Sequence, residues 1–278
     1  MAEFIKDSFR FDHEKILDEI LEFTRRVVKD ADASGVVLGL SGGVDSALAA
    51  ALCARALGKD KVQGVLMPAS FTPKRDIADA AALAKMLGIR TESVDIDGIC
   101  NAFIKALNIS GEGVKMRIPL ANVRARIRMM ILYFYANANN YLVVGTSDRS
   151  ETLIGFFTKY GDGAADFFPV RHLYKTQVKD LAKHLGIPKR IVTKPSSPQL
   201  YPGHKLSDEV LLDYDRLDPV LVGLFDHGLS PERVSEMTRV PLSTILEFIA
   251  RHKRTAHKRK LSPMIESSKV EDEAFPKG

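Results

Sequence analysis

The stretch GVVLGLSGGVDSALAAALCARALG, residues Gly35–Gly58, decides the fold. It begins with a short apolar run, passes through the small polar residues SGGVDS, and continues as a run rich in Ala and Leu. The first run is typical of a buried strand, and the last is typical of a helix that stops at a glycine. The stretch therefore predicts a strand, a glycine loop and a helix in direct succession.

The same alternation continues along the chain. Further strands are predicted at Lys61–Met67, Arg90–Ile96 and Tyr141–Thr146, with helices between them at Arg75–Gly88 and Pro119–Ala138. Strands separated by helices indicate a parallel sheet covered on both faces, and we expect its strands to be buried and apolar. The predicted fold class is therefore α/β, a doubly wound parallel sheet. Ligands of such sheets bind beyond the carboxyl ends of the strands.

We expect a single domain over residues 1–278 with helical additions at both ends of the α/β core. No clear strand is predicted after Tyr174. The parts are an N-terminal helix at about 10–31, the core at about 35–186, a helical C-terminal part at about 205–260 and a flexible tail at 264–278.

Composition excludes several classes of protein. Hydrophobic residues make up 45% and charged residues 27%, which is ordinary for a globular chain. No apolar run approaches the roughly 18 residues of a membrane span, and the start lacks the apolar core of a signal peptide. We therefore expect a cytoplasmic protein with no membrane partner. The net charge of +5 fits polyphosphate substrates and weak nucleic-acid binding equally well. Cys53 and Cys100 are expected to be buried thiols.

The glycine loop predicts an anion site. Unpaired N–H groups at the start of a helix attract phosphate, and Gly42 and Gly43 allow the close approach of the backbone. Ser41 and Ser46 can donate hydrogen bonds, whereas Asp45 is itself negative and is explained by a Mg²⁺ ion between carboxylate and phosphate. Because the quoted stretch contains no lysine, it is not the usual nucleotide P-loop. A glycine-rich turn without a ligand is the alternative.

Several motifs together resemble a known family. SGGVDS after an apolar strand resembles the PP-loop of the ATP pyrophosphatases, which cleave ATP between the α and β phosphates. The segment VVGTSDRSETLIGFFTKYGDGAADFFPV, Val143–Val170, closely resembles the signature of the ammonia-dependent NAD synthetases. With NVRARIRMM, LYKTQVKDLAKHLGIP and AHKRKLSP in the same order as in that family, the resemblance covers Gly39–Pro263. It implies a fold like that of the adenine nucleotide α hydrolases.

The resemblance also implies an activity, which is a two-step amide synthesis. The nicotinate carboxylate of deamido-NAD attacks the α-phosphate of ATP with the help of Mg²⁺, and ammonia then displaces AMP to give NAD. A homodimer is implied, with the dinucleotide site at the subunit interface. Only about forty residues precede the loop, too few for the glutaminase domain of glutamine-dependent relatives. We therefore expect free ammonia as the donor, unless a separate protein supplies it.

Contacts to ATP and metal follow from the resemblance. Asp45 and Glu151 are implied to share one Mg²⁺ ion, and Lys175 is implied to reach the phosphates as a point charge. Ser197 is the expected contact in the loop after Lys194, with Ser196 as the alternative. The full set of implied ATP contacts is Gly39, Leu40, Ser41, Gly42, Gly43, Val44, Asp45, Ser46, Thr146, Lys175 and Ser197.

The contacts implied for deamido-NAD are Arg126, Lys159, Asp166, His257 and Lys258. Helical periodicity adds an observation of its own, because one polar stripe of the long helix carries Asn122, Arg126, Tyr133 and Asn137. Such a stripe needs a partner, which is either a substrate phosphate or an acidic residue across an interface. The basic run near His257 has no interleaved aromatic residues, so we expect no nucleic-acid partner.

This chain departs from the family pattern at several positions. Asp148 and Arg149 stand where the family frequently has Asn and Lys, and Tyr201 and His204 replace commoner residues. The rival functions are a PP-loop ligase that acts on tRNA and a nucleotide sensor without turnover. The tRNA ligase would favour RNA-binding domains and active cysteines, whereas the sensor would not need both metal-binding carboxylates.

Overall fold

A four-stranded parallel sheet lies at the centre of the computed structural model, which describes residue 5 and residues 7–109, 113–197, 199–205, 207, 209–260 and 263. Neighbouring strands pair in parallel in the order β3–β2–β1–β4. Strands β1 to β4 are Gly35–Gly39, Val62–Leu66, Arg90–Ser93 and Tyr141–Val143. The predicted fold class is confirmed.

Helices follow the strands and then form the C-terminal part. The described helices α1 to α11 are His13–Asp30, Val44–Leu57, Lys74–Leu87, Asp97–Ala106, Val114–Asn139, Arg149–Ile154, Lys175–His184, Lys189–Val192, Tyr214–Leu221, Pro231–Thr238 and Leu242–Arg254. None of the helices among the described residues is long and apolar enough to span a bilayer.

Alternate residues of β1 pack on opposite faces of the sheet, as the period of a strand requires. Val36 and Leu38 join a cluster with Cys53 of α2, and Val37 joins a second cluster with Ile127 of α5. Helices therefore cover both faces of the central strand. The buried position of Cys53 matches the expectation, and burial raises the pKa of its thiol to about 12.

The helical additions build two further clusters. Leu17 and Ile20 of α1 pack against α2 and α7, while α9, α10 and α11 form a cluster that includes Leu217 and Phe248. Ile154 at the end of α6 belongs to the second cluster, which links the C-terminal helices to the core. No strand follows Tyr174 in the described part of the chain, as expected. The extent of the single domain stays a prediction, and the predicted tail lies outside the described residues.

Three details differ from the sequence-based expectations. β3 ends at Ser93 rather than Ile96, and all its residues are exposed because it forms the edge of the sheet. β4 ends at Val143, and Val144 then bridges to Phe167 in a later segment. The long helix α5 begins at Val114, so Pro119 lies in its second turn instead of at its start.

Candidate active site

A cavity of ≈ 290 Å³ opens at the carboxyl ends of the strands. Its walls come from the glycine loop, the segments after β2 and β4, and residues 194–197, 199 and 200. The predicted residues in these walls are Gly39, Leu40, Ser41, Gly43, Val44, Asp45, Ser46, Thr146, Glu151, Ser196 and Ser197. Two predicted ATP contacts, Gly42 and Lys175, are not among the residues that line the cavity.

The glycine loop has the geometry of an anion site. Gly42 has φ +72°, and a Cβ atom there would lie 2.3 Å from the backbone oxygen of Asp76. Ser46 Oγ donates to the carbonyl of Gly43 at 3.1 Å, which ties the loop to the first turn of α2. Gly43 precedes α2, and no described side chain caps that helix. Its first N–H groups therefore remain available to a ligand.

Three carboxylates surround one buried lysine beside the cavity. Lys175 Nζ lies 2.6 Å from Asp45 Oδ1, 3.0 Å from Asp148 Oδ2 and 2.8 Å from Glu151 Oε1. Lys175 and Asp148 are both fully buried. We call Asp45, Asp148 and Glu151 the carboxylate cluster; each offers an oxygen within 4.8 Å of the others.

Three helix starts bring the carboxylate cluster together. Asp45 lies in the first turn of α2, Glu151 lies in the first turn of α6, and Lys175 begins α7. Asp148 is the N-cap of α6, because its Oδ1 atom accepts a hydrogen bond of 2.8 Å from the backbone N–H of Glu151. The other carboxylate oxygen of Asp148 is left to face Lys175.

Burial and charge oppose each other in the cluster. Burial raises the pKa of Asp148 to about 7 and that of Glu151 well above its ordinary value, although Lys175 acts in the other direction. Burial disfavours the charged form of Lys175, but Asp148, Asp45 and Glu151 outweigh it and hold the pKa of Lys175 well above its ordinary value. When all three carboxylates are ionised, the carboxylate cluster and Lys175 together carry a net charge of about −2.

The donor set of the cluster fits a magnesium ion. Asp45 Oδ1 and Asp148 Oδ2 are buried and have ion-pair distances to Lys175, yet neither has a hydrogen bond of good geometry from any described residue. Buried carboxylate oxygens need a cation or a donor, and oxygen ligands are those that Mg²⁺ prefers. Asp45 and Glu151 are adjacent, as predicted, and Asp148 adds a third carboxylate to the same cluster.

Asp218 supports the cluster from the C-terminal part. Its Oδ1 atom accepts a hydrogen bond of 2.6 Å from Ser150 Oγ, and its Oδ2 atom accepts one of 2.9 Å from Thr176 N. Ser150 Oγ in turn accepts from the backbone N–H of Lys175 at 3.0 Å. Burial raises the pKa of Asp218 to about 6. This fully buried carboxylate therefore holds the starts of α6 and α7 in place.

The polar stripe of α5 faces the loop at residues 156–166 of the same chain. Thr158 Oγ1 donates to Asn122, Arg126 Nη2 donates to the carbonyl of Lys159 at 3.2 Å, and Tyr133 OH donates to Asp166 Oδ1 at 3.2 Å. Three of the predicted dinucleotide contacts, Arg126, Lys159 and Asp166, are thus brought together.

The other two predicted dinucleotide contacts lie at the end of α6. Lys258 Nζ donates to the carbonyls of Gly155 and Phe157 at 2.8 and 2.7 Å, and His257 is exposed. Arg251, His252 and Arg259 also donate to carbonyls in this turn. The basic run therefore caps the C-terminal end of α6.

Sequence reasoning missed three features of the site. Asp148 was identified only as a departure from a family pattern, although Asp-x-x-Glu before a helix is a capping signal. Asp218 contacts Ser150, which is 68 residues away in the sequence, and local sequence patterns do not predict contacts at such a separation. Asp76 is also buried, and it forms an ion pair of 2.7 Å with Lys194 that holds Lys194 close to the glycine loop.

Comparison with known proteins now decides the family. A family model described as NAD synthase matches residues 16–262. The chain belongs to the NAD synthase family. The family resemblance inferred from the motifs is confirmed. The expected enzyme class, a ligase, and the expected activity, the ATP-dependent amidation of deamido-NAD, are confirmed as well.

Similar sequences cover nearly the whole of this NAD synthase family member. It is 46% identical over 266 residues to the NH(3)-dependent NAD(+) synthetase of Staphylothermus marinus, which covers 95% of this chain and 94% of the relative. It is 43% identical over 250 residues to the protein of the same name from Methanocaldococcus jannaschii, with coverage of 90% and 96%.

Solved structures are similar over the same range. The NMN synthetase of Francisella tularensis gives a TM-score of 0.81 at 31% identity, covering 93% of this chain and 100% of that chain. The NH3-dependent NAD synthetase of Campylobacter jejuni gives 0.77 at 35% identity, with coverage of 92% and 100%.

Proposed function

We propose that this protein joins ammonia to the carboxyl group of deamido-NAD at the cavity described above, with ATP and Mg²⁺. The observation that carries the proposal is the uncapped start of α2 beside the carboxylate cluster in a chain of this family. A site for a polyphosphate and a set of metal ligands meet at one end of the sheet.

The activation step follows from the chemistry of the site. A carboxylate is a poor electrophile, so its oxygen attacks the α-phosphate of ATP, the bond to the β-phosphate breaks, and pyrophosphate leaves. N–H groups at the start of α2, with Ser41 and Ser46, stabilise the charge on the departing pyrophosphate. Mg²⁺ held by Asp45 and Glu151 would neutralise charge on the phosphates. Thr146 and Ser197, both in the cavity wall, contact the rest of ATP.

The amidation step needs no covalent enzyme intermediate. Ammonia attacks the adenylated carboxyl carbon, AMP leaves, and the amide loses a proton. Arg126, Lys159 and Asp166 bind the dinucleotide at the loop beside α5, and His257 and Lys258 contribute further contacts to it. Lys175 contacts the phosphates once it leaves the carboxylate cluster.

A homodimer is proposed because α5 exposes apolar side chains beside the dinucleotide residues. Met130 and Phe134 are 54% and 68% exposed, and an apolar groove runs between them and Ile99. A paired subunit would cover this face and bring a second copy close to Arg126. The cytoplasmic location and the source of ammonia stay predictions.

The decisive assay supplies Mg-ATP, deamido-NAD and ammonium and follows AMP, pyrophosphate and NAD by chromatography. Nicotinate mononucleotide is supplied in parallel, because one similar structure is an NMN synthetase. We expect NAD and AMP in equal amounts, and a preference for the mononucleotide would overturn the proposed substrate. AMP release that requires tRNA would support the rival ligase.

The metal-binding role is tested with a charge-neutral variant. Asp45→Asn is expected to abolish AMP formation while the thermal unfolding curve is retained. Asp60→Asn removes the same charge from an exposed turn after α2 and serves as the matched control. Full activity of Asp45→Asn would contradict the role.

A further inference from the structure

We propose that Asp148 is a third carboxylate ligand of the divalent cation, and that Lys175 leaves the carboxylate cluster when the cation binds. This inference rests on the proposed metal site at Asp45 and Glu151. It concerns a residue at which this chain departs from the common pattern of its family, since Asn is frequent there.

Asp148 has one carboxylate oxygen that capping does not use. Its Oδ1 atom is used to cap α6, whereas Oδ2 is buried and lacks a well-directed hydrogen bond from any described group. A buried anionic oxygen without a donor is costly unless a cation compensates it. Asn at this position could cap the helix equally well. Capping therefore does not explain the negative charge. Without a divalent cation, the Lys175 ammonium at 3.0 Å compensates Oδ2, and once Lys175 leaves, the divalent cation takes over that role.

The ammonium of Lys175 and a shared metal ion would lie too close together. A Mg²⁺ ion bonds to oxygen at about 2.1 Å, so one that touches Asp45 Oδ1 lies at most about 4.7 Å from Lys175 Nζ. At that separation two cations repel each other strongly inside a protein. Lys175 has a long flexible stem, and the cavity beside the cluster is where phosphates are proposed to bind.

The exchange gives one lysine two successive partners. Without a divalent cation, Lys175 neutralises part of the charge of three neighbouring carboxylates. When the cation takes this place, Lys175 turns into the cavity and becomes available to the phosphates. The metal therefore prepares the cationic group that the proposed reaction needs.

The first test measures Mn²⁺ binding to the whole protein by electron paramagnetic resonance, with Asp148→Asn and a matched control. Asp12→Asn is that control, because Asp12 is also a helix N-cap whose replacement removes one charge, and its described hydrogen bonds go only to Glu14 and Lys15. We expect Asp148→Asn to weaken Mn²⁺ binding on the order of tenfold or more and Asp12→Asn to leave it unchanged. Line broadening in ¹⁷O-water should report one additional bound water in Asp148→Asn.

The second test measures the reactivity of the Lys175 amine toward acetic anhydride by mass spectrometry. The amine is fully buried, so we expect little acetylation without Mn²⁺ and a clear increase with it, while exposed Lys253 reacts equally in both. Unchanged Mn²⁺ affinity and water count in Asp148→Asn would refute the third ligand. Bound Mn²⁺ with Lys175 still protected would refute the exchange and leave the metal site intact. Absence of Mn²⁺ binding to the unaltered protein would overturn the metal site as well.

Discussion

Two neighbouring glycines of the loop respond differently to the same added methyl group. Gly42→Ala places a Cβ atom on a backbone with φ +72°, 2.3 Å from the backbone oxygen of Asp76 in the first turn of α3. The left-handed backbone costs about 1–2 kcal/mol for a residue other than glycine. The contact adds to this cost, because the loop and α3 must separate by about 1 Å in a close-packed interior.

Gly43→Ala is the matched control. Its backbone is extended, with φ −92°, and the nearest atom to the new Cβ is Ser41 Oγ at 3.3 Å. Alanine is a poorer N-cap than glycine, so we expect a loss of about 0.5 kcal/mol.

The two variants are compared by thermal unfolding and by the KM for ATP in the amidation assay. For Gly42→Ala a loss of at least about 2 kcal/mol corresponds to a fall in Tm of about 4–8 °C. If the loop moves to relieve the strain, ATP binding must return the loop to its strained conformation. That costs about 1–2 kcal/mol of binding free energy, which raises the KM for ATP by about 5- to 30-fold. Because Gly43 itself lies in the cavity wall, the comparison that decides is the one of Tm, and an equal fall in Tm in the two variants would refute the reasoning from loop geometry.

Three further substitutions test other parts of the site. Arg126→Ala should raise the KM for deamido-NAD about tenfold or more, because a charged hydrogen bond is lost, and leave the KM for ATP unchanged; an unchanged KM for deamido-NAD would return Arg126 to a structural role. Phe134→Asp should give monomers in sedimentation velocity, whereas Leu246→Asp, at another exposed apolar position, should not; a dimer that persists in Phe134→Asp contradicts the interface. Asp218 has its pKa raised by burial to about 6 from 3.8, so the native state holds a proton that the unfolded state has lost between these values. The stability of the unaltered protein relative to Asp218→Asn should therefore fall, on the order of 3 kcal/mol, as the pH rises from 4 to 7 in urea unfolding; a constant difference would contradict the pKa shift.

The sequence was sufficient to predict which side chains meet at strand ends. The family resemblance implied that Asp45 after β1 and Glu151 after β4 share one ion, the position of both after strand ends is consistent with this, and the two are neighbours. The order of strands was not predictable, because strand periodicity says nothing about neighbours. The exposure of β3 at the sheet edge was missed for that reason.

Contacts made by long side chains were harder to predict. Lys175 was expected to reach phosphates, yet its ammonium lies among three carboxylates, because the direction of a flexible stem depends on charges brought from other helices. Lys258 was expected beside the dinucleotide. Its ammonium instead donates to the carbonyls of Gly155 and Phe157, which directly follow α6. The family motif identified these lysines as important, but it did not specify their partners.

The caps on α6 connect the helix that carries Glu151 to residues that are synthesised much later. The helix that carries Glu151 spans only six residues, and the carbonyls at its end accept hydrogen bonds from Arg251, His252 and Arg259. The ribosome adds these groups about a hundred residues after the helix itself. During synthesis α6 therefore lacks these donors until residues 251–259 emerge. The chain must therefore be complete to Arg259 before the helix that carries Glu151 has all of these donors.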